Sequence, residues 1–450
     1  MYVEEAPQIP ELLGELGPER LPQVLSAGNL SAARDSEYLH WDKVRHLDPP
    51  EGMTHREWWL LLKIGRDMRP LPLLDDKGQA FTFSAVDEVQ RLQHFIDQFA
   101  SGAIAMPEVV IADEQARRHY LVNSLMEEAI RSSQLEGAST SRRVAKDLLT
   151  SGRPPKDRSE RMITNNYRAF QYMRDIIGSE LTPAHVLELQ RILTEGTLEN
   201  PDAAGRLQRP DEDRVVVVDR VTGDVLHVPP PAEQLPERLD AMCAFANASN
   251  DEGGFLHPVV RSILLHLWIG YDHYFEDGNG RTARIIFYWS MRKHGYWLTE
   301  YLSISRILRM APAKYTRSFL LTETDAGDTT YFVLYQLGVI KRAIEELHRY
   351  LARKIREVRK VEDALRGAEH FNHRQLSLIS DAIRNPEHTY TFRSHAATHN
   401  VTGETARTDL RQLSDRGLLL RRKAGRQFVF TVPANLGELL TRANGGTGVA

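Results

Sequence analysis

The most informative segment of the sequence covers residues 273–284 and reads HYFEDGNGRTAR. Gly278 and Gly280 flank Asn279, and glycines permit the positive φ angles and close backbone approach that an anion-binding turn needs. Backbone amides at the start of a following helix point toward one spot, with the positive end of the helix dipole behind them. We therefore expect this turn to bind phosphate.

Side chains near the turn complete a set suited to nucleotide chemistry. Arg281 and Arg284 are three residues apart, on one helical face, where two guanidinium groups can grip the outer phosphates of a nucleotide. Asp277 offers a hard oxygen ligand for a Mg²⁺ ion that bridges phosphate oxygens. His273 can accept a proton from an attacking hydroxyl, because an unperturbed histidine pKa of about 6.5 suits base chemistry at neutral pH.

Two helices must hold these residues in place. Apolar residues at helical spacing precede the turn (Val259, Ile263, Leu267, Tyr271), and the pattern resumes over residues 285–291. The segment therefore predicts a helix-loop-helix corner. A glycine turn alone is usually only a turn, and an arginine pair alone is usually a solvated helix face. The combination is what points to function.

The whole chain has the composition of an ordinary globular protein. It has 450 residues, of which 42% are hydrophobic, and a net charge of −4, which excludes a uniformly basic coat for nucleic acid. The single cysteine, Cys243, excludes an internal disulfide and a CxxC metal clip. The sequence has no P-loop or HExxH motif, no basic-then-apolar leader and no apolar run of about 18 residues. We expect a cytoplasmic protein that does not contact a membrane.

The pattern along the chain predicts a mainly α protein of about three domains. The β-branched residues at 214–228, with a Thr-Gly turn, predict a β-hairpin standing out of a helical body, whereas the stretch at 69–78 reads as turns between helices. The last part has helices followed by a short hairpin, the order of a winged helix-turn-helix. The predicted parts are a helical N-terminal domain (residues 1–105), a core (106–360), the winged helix-turn-helix (366–435) and a flexible tail (436–450).

The 273–284 segment resembles the Fic (Fido) family signature HxFx(D/E)GNGRxxR, and the resemblance covers about residues 181–341. The matching positions are His273, Phe275, Asp277, Gly278, Asn279, Gly280, Arg281 and Arg284. Tyr274 departs from the family, where proline is common, but removes no chemical group. The resemblance implies a protein adenylyltransferase, which moves AMP from Mg²⁺-ATP to a Ser, Thr or Tyr hydroxyl of a protein target, or of the chain itself, and releases pyrophosphate.

The resemblance also implies roles for single residues. His273 would be the general base and Asp277 would hold Mg²⁺, while Phe275 reads as a buried anchor of the corner. The ATP-binding residues would be Gly278, Asn279, Gly280, Arg281, Thr282 and Arg284, with Tyr315 either lining the adenine pocket or packing as an ordinary helical aromatic. The hairpin would be a flap that pairs with the target segment through Arg214, Val215, Val216, Val217 and Val218.

A second motif lies upstream, at residues 132–137. Ser132, Glu136 and Gly137 fit the family's inhibitory pattern (S/T)xxxE(G/N), with Ser132 and Glu136 one turn apart at the end of a predicted helix over about residues 118–137. By the resemblance, Glu136 would pair with Arg284 and take the donors that the γ-phosphate needs. In some relatives this glutamate instead orients a water that removes AMP, so a deAMPylase is an alternative.

The C-terminal part carries a local charge of +5, because residues 366–426 contain eleven Arg or Lys and six Asp or Glu. Candidate DNA contacts are Thr405, Arg407 and Arg411 on the second helix, and Arg421, Arg422 and Arg426 in the wing. A winged helix used for protein docking or for a homodimer is an equal alternative. The remaining functional alternative is therefore a nucleotide-sensing regulator that binds DNA through this part.

Overall fold

The computed structural model describes residues 2–27, 37–101, 114–219, 222–249, 254–366, 371–384, 388–424, 427–436 and 439–440. The chain forms two compact units. The first comprises Met1–Ile104 and Leu121–Glu345, and the second comprises Ala105–Tyr120 and Glu346–Ala450. The boundaries of the predicted parts remain predictions.

The protein is mainly helical, as the sequence predicts. In chain order the α-helices are α1 Ile9–Glu15, α2 Arg20–Ala27, α3 Trp41–Val44, α4 His55–Gly65, α5 Asp87–Ile96, α6 Glu114–Leu135, α7 Arg142–Ser151, α8 Arg158–Asp175, α9 Pro183–Thr194, α10 Leu235–Asn247, α11 Pro258–Asp272, α12 Asn279–Lys293, α13 Ile304–Met310, α14 Pro312–Glu323, α15 Thr330–Arg366, α16 His373–Arg384, α17 Phe392–His399 and α18 Gly403–Asp415. The β-strands are β1 Arg69–Leu74, β2 Ala80–Phe83, β3 Val217–Val218, β4 Val225–His227, β5 Thr389–Tyr390, β6 Leu420–Ala424 and β7 Gln427–Thr431. In the described residues, no helix is both long enough and apolar enough to span a bilayer.

Helices α11 and α12 form the centre of the first unit and pack against each other along most of their length. Both are buried on nearly every face, and α12 also packs against α8 and α9. A helix that is surrounded by protein needs no polar face toward water, which agrees with the absence of a polar stripe on α11. The corner between the two helices is therefore held by two buried, closely packed helices.

Local sequence signals set the ends of several surrounding helices. Thr54 caps α4 and forms a capping box with Glu57, and the Thr182 side chain accepts a hydrogen bond at the start of α9, where Pro183 takes the first position. Helix α6 ends at Leu135, in agreement with the predicted break near Gly137. These agreements concern positions where one or two residues decide the backbone.

Residues 69–78 contradict their interpretation as turns between helices. Strand β1 pairs antiparallel with β2, with Arg69 opposite Phe83 and Leu74 opposite Ala80. Pro70 and Pro72 weaken the strand signal, yet proline is tolerated in a strand with an unpaired edge. The first part of the unit is therefore not purely helical.

A buried charge cluster joins α4 to the start of α15. Lys63 Nζ lies 2.9 Å from Asp325 Oδ1, and Arg66 Nη1 donates to the Tyr331 hydroxyl at 2.7 Å. Asp328 lies beside both cations, 3.9 Å from each. The four charged side chains are at most 4% exposed. Because buried charges are tolerated only when paired, this cluster fixes the N-terminal helices to the rest of the unit.

The predicted hairpin at 214–228 is present, although its strands are shorter than expected. Val217 pairs with His227 and Val218 with Val225. Val218, Val225 and Val228 are exposed, the last two at 57% and 64%. We call residues 214–228 the flap.

The second unit has its own apolar core, which includes Tyr390, Leu410 and Phe430. Its three strands pair in the order β5-β7-β6, with β6 and β7 forming the predicted hairpin. The sequence correctly predicts α16, α18 and this hairpin but misses α17 and β5. Leu436 and Leu440, placed by the sequence in a flexible tail, are buried in this core. The assignment as a winged helix-turn-helix stays a prediction.

Candidate active site

The 273–284 segment forms the predicted helix-loop-helix corner between α11 and α12. His273 follows the last residue of α11 with a left-handed backbone (φ 48°), and Gly278 precedes α12 with φ 93°. The Asn279 side chain closes the loop, since its Oδ1 accepts from the Phe275 amide at 3.0 Å and its Nδ2 donates to the Phe275 carbonyl at 2.7 Å. Phe275 is fully buried, as predicted for an anchor. Asn279 thus shapes the loop with its side chain.

The His273 imidazole is arranged as a base. Its Nδ1 lies 3.3 Å from the Gly270 carbonyl. Because a carbonyl oxygen only accepts hydrogen bonds, Nδ1 carries the proton and Nε2 holds the free lone pair. Partial burial lowers the pKa of His273 to about 4, helped by the charges of His227 and Arg214. The ring is therefore neutral at physiological pH.

Asp277 has one oxygen engaged and one more open. Its Oδ1 accepts from Arg281 Nη2 at 3.0 Å, and its Oδ2 lies 3.6 Å from Arg158 Nη2. The carboxylate is 32% exposed. No local sequence pattern marks Arg158, because its proximity to Asp277 depends on how α8 packs against the corner.

Arg281 does not lie beside Arg284 as a second phosphate clamp. Its guanidinium is fully buried and donates to the Leu193 carbonyl at 3.1 Å and to Asp277. Positions three apart on a helix differ by about 60° around the axis, which is enough to send two long side chains to different neighbouring helices. Arg281 and Arg284 therefore bond to different neighbours in this structure, and the contact of Arg281 with ATP stays a prediction.

Arg284 meets the upstream motif, as the resemblance implies. Its Nε donates to Ser132 Oγ at 2.9 Å, and its Nη2 donates to Glu136 Oε1 at 2.7 Å. Arg284 and Ser132 are fully buried, whereas the Glu136 side chain is 27% exposed. The carboxylate raises the pKa of Arg284 against the effect of burial. The ion pair is thus buried at one end and open at the other.

The close approach of Glu136 depends on Gly280. A Cβ atom at Gly280 would overlap Glu136 Oε1 and lie 3.0 Å from its Cδ and 3.1 Å from Arg284 Nη1. Glycine in the first turn of α12 therefore lets a carboxylate lie against the helix N-terminus, where the helix dipole favours negative charge.

Buried polar contacts hold α6 in place. Glu128, two turns before Glu136, accepts from Ser303 Oγ at 2.7 Å and from the Ser305 amide at 3.1 Å. On another side, Asn166 Nδ2 donates to the Ala129 carbonyl at 3.1 Å. Glu128 was not among the predicted residues. Its position could have indicated a role, because residues 128, 132 and 136 recur every four positions and so share one helix face.

Two other residues predicted to bind ATP, Tyr315 and Thr282, are at least half-buried beside the corner. The Tyr315 hydroxyl is 2.7 Å from His266 Nε2, and the Arg284 charge lowers the pKa of Tyr315 against the larger raising effect of burial. Thr282 is fully buried, and its amide donates to the Gly278 carbonyl at 2.8 Å. Their contacts with ATP stay predictions.

The remaining predicted residues belong to other regions. In the flap, Arg214 turns inward and donates to the carbonyls of Asp272 and His273, so it does not present its side chain to a target. Exposed residues of the second unit include Arg407, Arg411, Arg421 and Arg422, whereas Thr405 is half-buried and Arg426 lies outside the described residues. DNA binding and a homodimer stay predictions.

Comparisons with known proteins agree with this geometry. Residues 180–291 match the Fic/DOC family model. Protein adenylyltransferase Fic from Nematostella vectensis is 40% identical to this chain over 60 residues, which are 13% of this chain and 14% of that protein. The chain therefore matches only a small part of that relative.

One solved structure supports the fold. The structure is similar to the crystal structure of a Fic family protein from Desulfovibrio desulfuricans, with a TM-score of 0.52 and 17% identity, over 78% of this chain and 97% of that chain. A fragment of Fic-1 from C. elegans is 19% identical, with a TM-score of 0.45, over 59% of this chain and 72% of that chain. Residues 180–291, which contain both the corner and the flap, are therefore a Fic/DOC family domain in a mainly helical Fic fold.

Proposed function

We propose that this protein transfers AMP from ATP to a hydroxyl group of a protein target and that Glu136 restrains the reaction. The observation that carries the proposal is the corner itself. It places a neutral imidazole with a free Nε2, an accessible carboxylate and the N-terminus of a buried helix around one glycine loop. The name of the Nematostella relative, protein adenylyltransferase, supports the same chemistry.

In the proposed reaction, His273 Nε2 removes the proton from the target hydroxyl as the hydroxyl oxygen attacks the α-phosphorus of ATP. A bond forms between that oxygen and phosphorus. The bond from the α-phosphorus to the oxygen bridging to the β-phosphate breaks, and pyrophosphate leaves with the electron pair. The amides at the start of α12 and the Arg284 guanidinium face the phosphates and stabilise the charge on the leaving group.

Asp277 fits a role as a Mg²⁺ ligand. In the described part of the chain, the exposed Arg158 is the only cation besides Arg281 within 4 Å of this carboxylate, and Arg281 holds its Oδ1. Among the described residues, no three His, Cys, Asp or Glu side chains cluster closely enough to hold a metal alone. A single carboxylate is the usual protein share of a Mg²⁺ site that is completed by phosphates and water. Bound there, the ion would neutralise phosphate charge.

Glu136 restrains the reaction because it occupies a donor that the γ-phosphate needs. Arg284 cannot turn away to find another anion, since it is fully buried and also donates to Ser132. ATP must therefore displace the carboxylate or bind with its phosphates misplaced.

The flap supplies a surface for the target. It is a two-stranded sheet, so each strand has an edge open to a further strand. Added strands bind through main-chain hydrogen bonds, and exposed side chains such as Val218 and Val225 select the neighbour. This mode would hold a target segment extended beside His273.

The test uses ATP labelled at the α-phosphate and compares the wild type with Glu136→Gly, His273→Ala and the double variant. We expect weak, strong, absent and absent self-labelling, respectively. ATP labelled at the γ-phosphate should label none of them. Transfer of the γ-label would indicate a kinase, and labelling by the double variant would exclude His273 as the base.

A reverse reaction has one observation in its favour. The Glu136 charge raises the pKa of His273 against the lowering effect of burial, so this carboxylate lies within electrostatic range of the imidazole. A carboxylate at that place could orient water toward an AMP-modified target. The reverse reaction predicts release of AMP from modified protein, and this release should disappear with Glu136→Gly.

A further inference from the structure

The backbone of His273 is held by its neighbours on both sides. Arg214 Nη2 donates to the Asp272 carbonyl at 2.8 Å, and Arg214 Nη1 donates to the His273 carbonyl at 3.2 Å. On the other side, the backbone amide of Gln208 donates to the Tyr274 carbonyl at 3.0 Å. The backbone carbonyls of Asp272, His273 and Tyr274 therefore all accept hydrogen bonds from residues outside α11.

The Asp272 carboxylate gathers the remaining contacts. It is fully buried and accepts from Trp268 Nε1 at 2.9 Å, from the Tyr274 hydroxyl at 2.7 Å and from Arg238 Nε at 2.8 Å. Tyr274 is also fully buried. Three side chains of different types thus converge on one carboxylate that immediately precedes the imidazole.

Arg238 extends this network to another part of the unit. Besides pairing with Asp272, it donates to the Asp75 carbonyl at 3.2 Å and to the Leu74 carbonyl, both at the end of β1. The β1–β2 hairpin is therefore connected through one guanidinium to the residue before His273.

This network can hold His273 in an unfavourable backbone conformation. His273 has a left-handed backbone, which is unfavourable for a residue with a Cβ atom and persists only where the surroundings impose it. Proline is common in the family at position 274, and its ring would fix the φ angle of the residue that follows His273. This chain has tyrosine there, and its hydroxyl reaches back to Asp272 instead.

We propose that Asp272, bonded to Tyr274 and Arg238, is a positioning residue that holds His273 in its left-handed conformation with Nε2 facing the reacting phosphate. The expected change in kcat rests on the proposed function, whereas the expected change in the tautomer of His273 does not. In this proposal Asp272 and Tyr274 act through the conformation of His273 and not by contact with ATP.

The test compares Tyr274→Phe and Asp272→Asn in the Glu136→Gly protein. The matched control is Tyr296→Phe, which removes another buried tyrosine hydroxyl bonded to a carboxylate, that of Asp97, at 2.5 Å. Tyr296 lies beyond the C-terminal end of α12, and the helix length of about 22 Å separates it from the corner. Tyr274→Phe keeps the ring and should fold even if Asp272→Asn does not.

Two measurements are made on each protein. The first is kcat and KM for ATP in AMP transfer. The second is the tautomer of His273, read from ¹⁵N chemical shifts of labelled histidine rings and assigned by the signal that His273→Ala removes. For Tyr274→Phe we expect kcat to fall 5- to 20-fold with KM within twofold. We also expect the fraction with a protonated Nδ1 to fall, while Tyr296→Phe should change neither.

The outcomes separate the two hypotheses. Unchanged kcat and an unchanged tautomer in both Tyr274→Phe and a folded Asp272→Asn would overturn the positioning role, as would an equal loss in Tyr296→Phe. If the Glu136→Gly parent transfers no AMP but the tautomer still changes in Tyr274→Phe, the proposed function fails and the positioning role stands.

Discussion

Replacing Glu136 with glycine should release the restraint on ATP binding. The substitution removes the carboxylate from Arg284 and costs the helix little, because α6 ends one residue earlier, at Leu135. Arg284 is fully buried and Glu136 is 27% exposed, so water reaches the ion pair only from the Glu136 side. A hydrogen bond between charged groups of this kind is worth about 2–3 kcal/mol, which corresponds to roughly a 30- to 150-fold change in an equilibrium constant.

We therefore expect the Kd for Mg²⁺-ATP, measured by calorimetry, to fall by about that factor in Glu136→Gly. The rate of self-labelling at low ATP should rise in parallel. The unliganded variant should also melt at a lower temperature than the wild type, because a buried guanidinium has lost its counter-charge, and saturating ATP should restore more than this loss. Glu136→Gln should give intermediate values, since its amide oxygen still accepts from Arg284 without a charge.

Glu127→Gln is the matched control. Glu127 lies on the same helix but pairs with Arg131 and Arg142. The Glu127→Gln variant should bind ATP with a Kd within twofold of the wild-type value. The reasoning would be refuted if Glu136→Gly and the wild type bound ATP equally and labelled themselves at equal rates.

Three further predictions follow from the same geometry. Gly280→Ala should lower the melting temperature of the wild type more than that of Glu136→Gly, with a coupling of about 1 kcal/mol in a double-mutant cycle; an additive result would contradict the close contact. Because the pKa of His273 is lowered to about 4, kcat/KM of Glu136→Gly should change less than twofold between pH 8 and pH 6 and should fall with acid only as the pH approaches 4; an acid limb centred near pH 6.5 would contradict the burial of the imidazole. Val218→Asp in the flap should reduce labelling of a protein target about tenfold while leaving the Kd for ATP unchanged; equal losses in both would place Val218 in the nucleotide site instead.

The corner could be predicted from the sequence because its geometry is local. The positive φ at Gly278 and the pairing of Asn279 with Phe275 involve residues within four positions of each other, and their types restrict the backbone directly. The same holds for the Thr182 cap of α9 and for the end of α6.

Contacts that depend on tertiary packing could not be predicted in the same way. Helical spacing places Arg281 and Arg284 on one side of α12 but does not reveal which helix each one meets. Arg158 reaches Asp277 from a position 119 residues earlier in the chain, and nothing local marks it. The family signature gave the position of Glu136 opposite Arg284, which spacing alone would not have supplied.

Segments with mixed signals were also misjudged. Strand β1 contains two prolines and was interpreted as turns, although its partner β2 and the Arg238 side chain hold it. The resemblance names Arg214 among the flap residues that pair with a target, but it does not indicate where the Arg214 side chain points. A long charged side chain next to unsatisfied helix carbonyls finds a better partner inside.

The charge cluster between α4 and the start of α15 limits how far the chain can be shortened. A chain starting at residue 114 would keep the whole Fic/DOC domain and α6 but would lack Lys63 and Arg66. Asp325 and Asp328, in the turn before α15, would then have lost both cations. Losing one partner of a buried ion pair costs about 3–5 kcal/mol, a large part of the stability of an ordinary domain. Shortened chains that keep the Fic/DOC domain should therefore begin before residue 38, so that the Tyr38 hydroxyl still reaches Asp328.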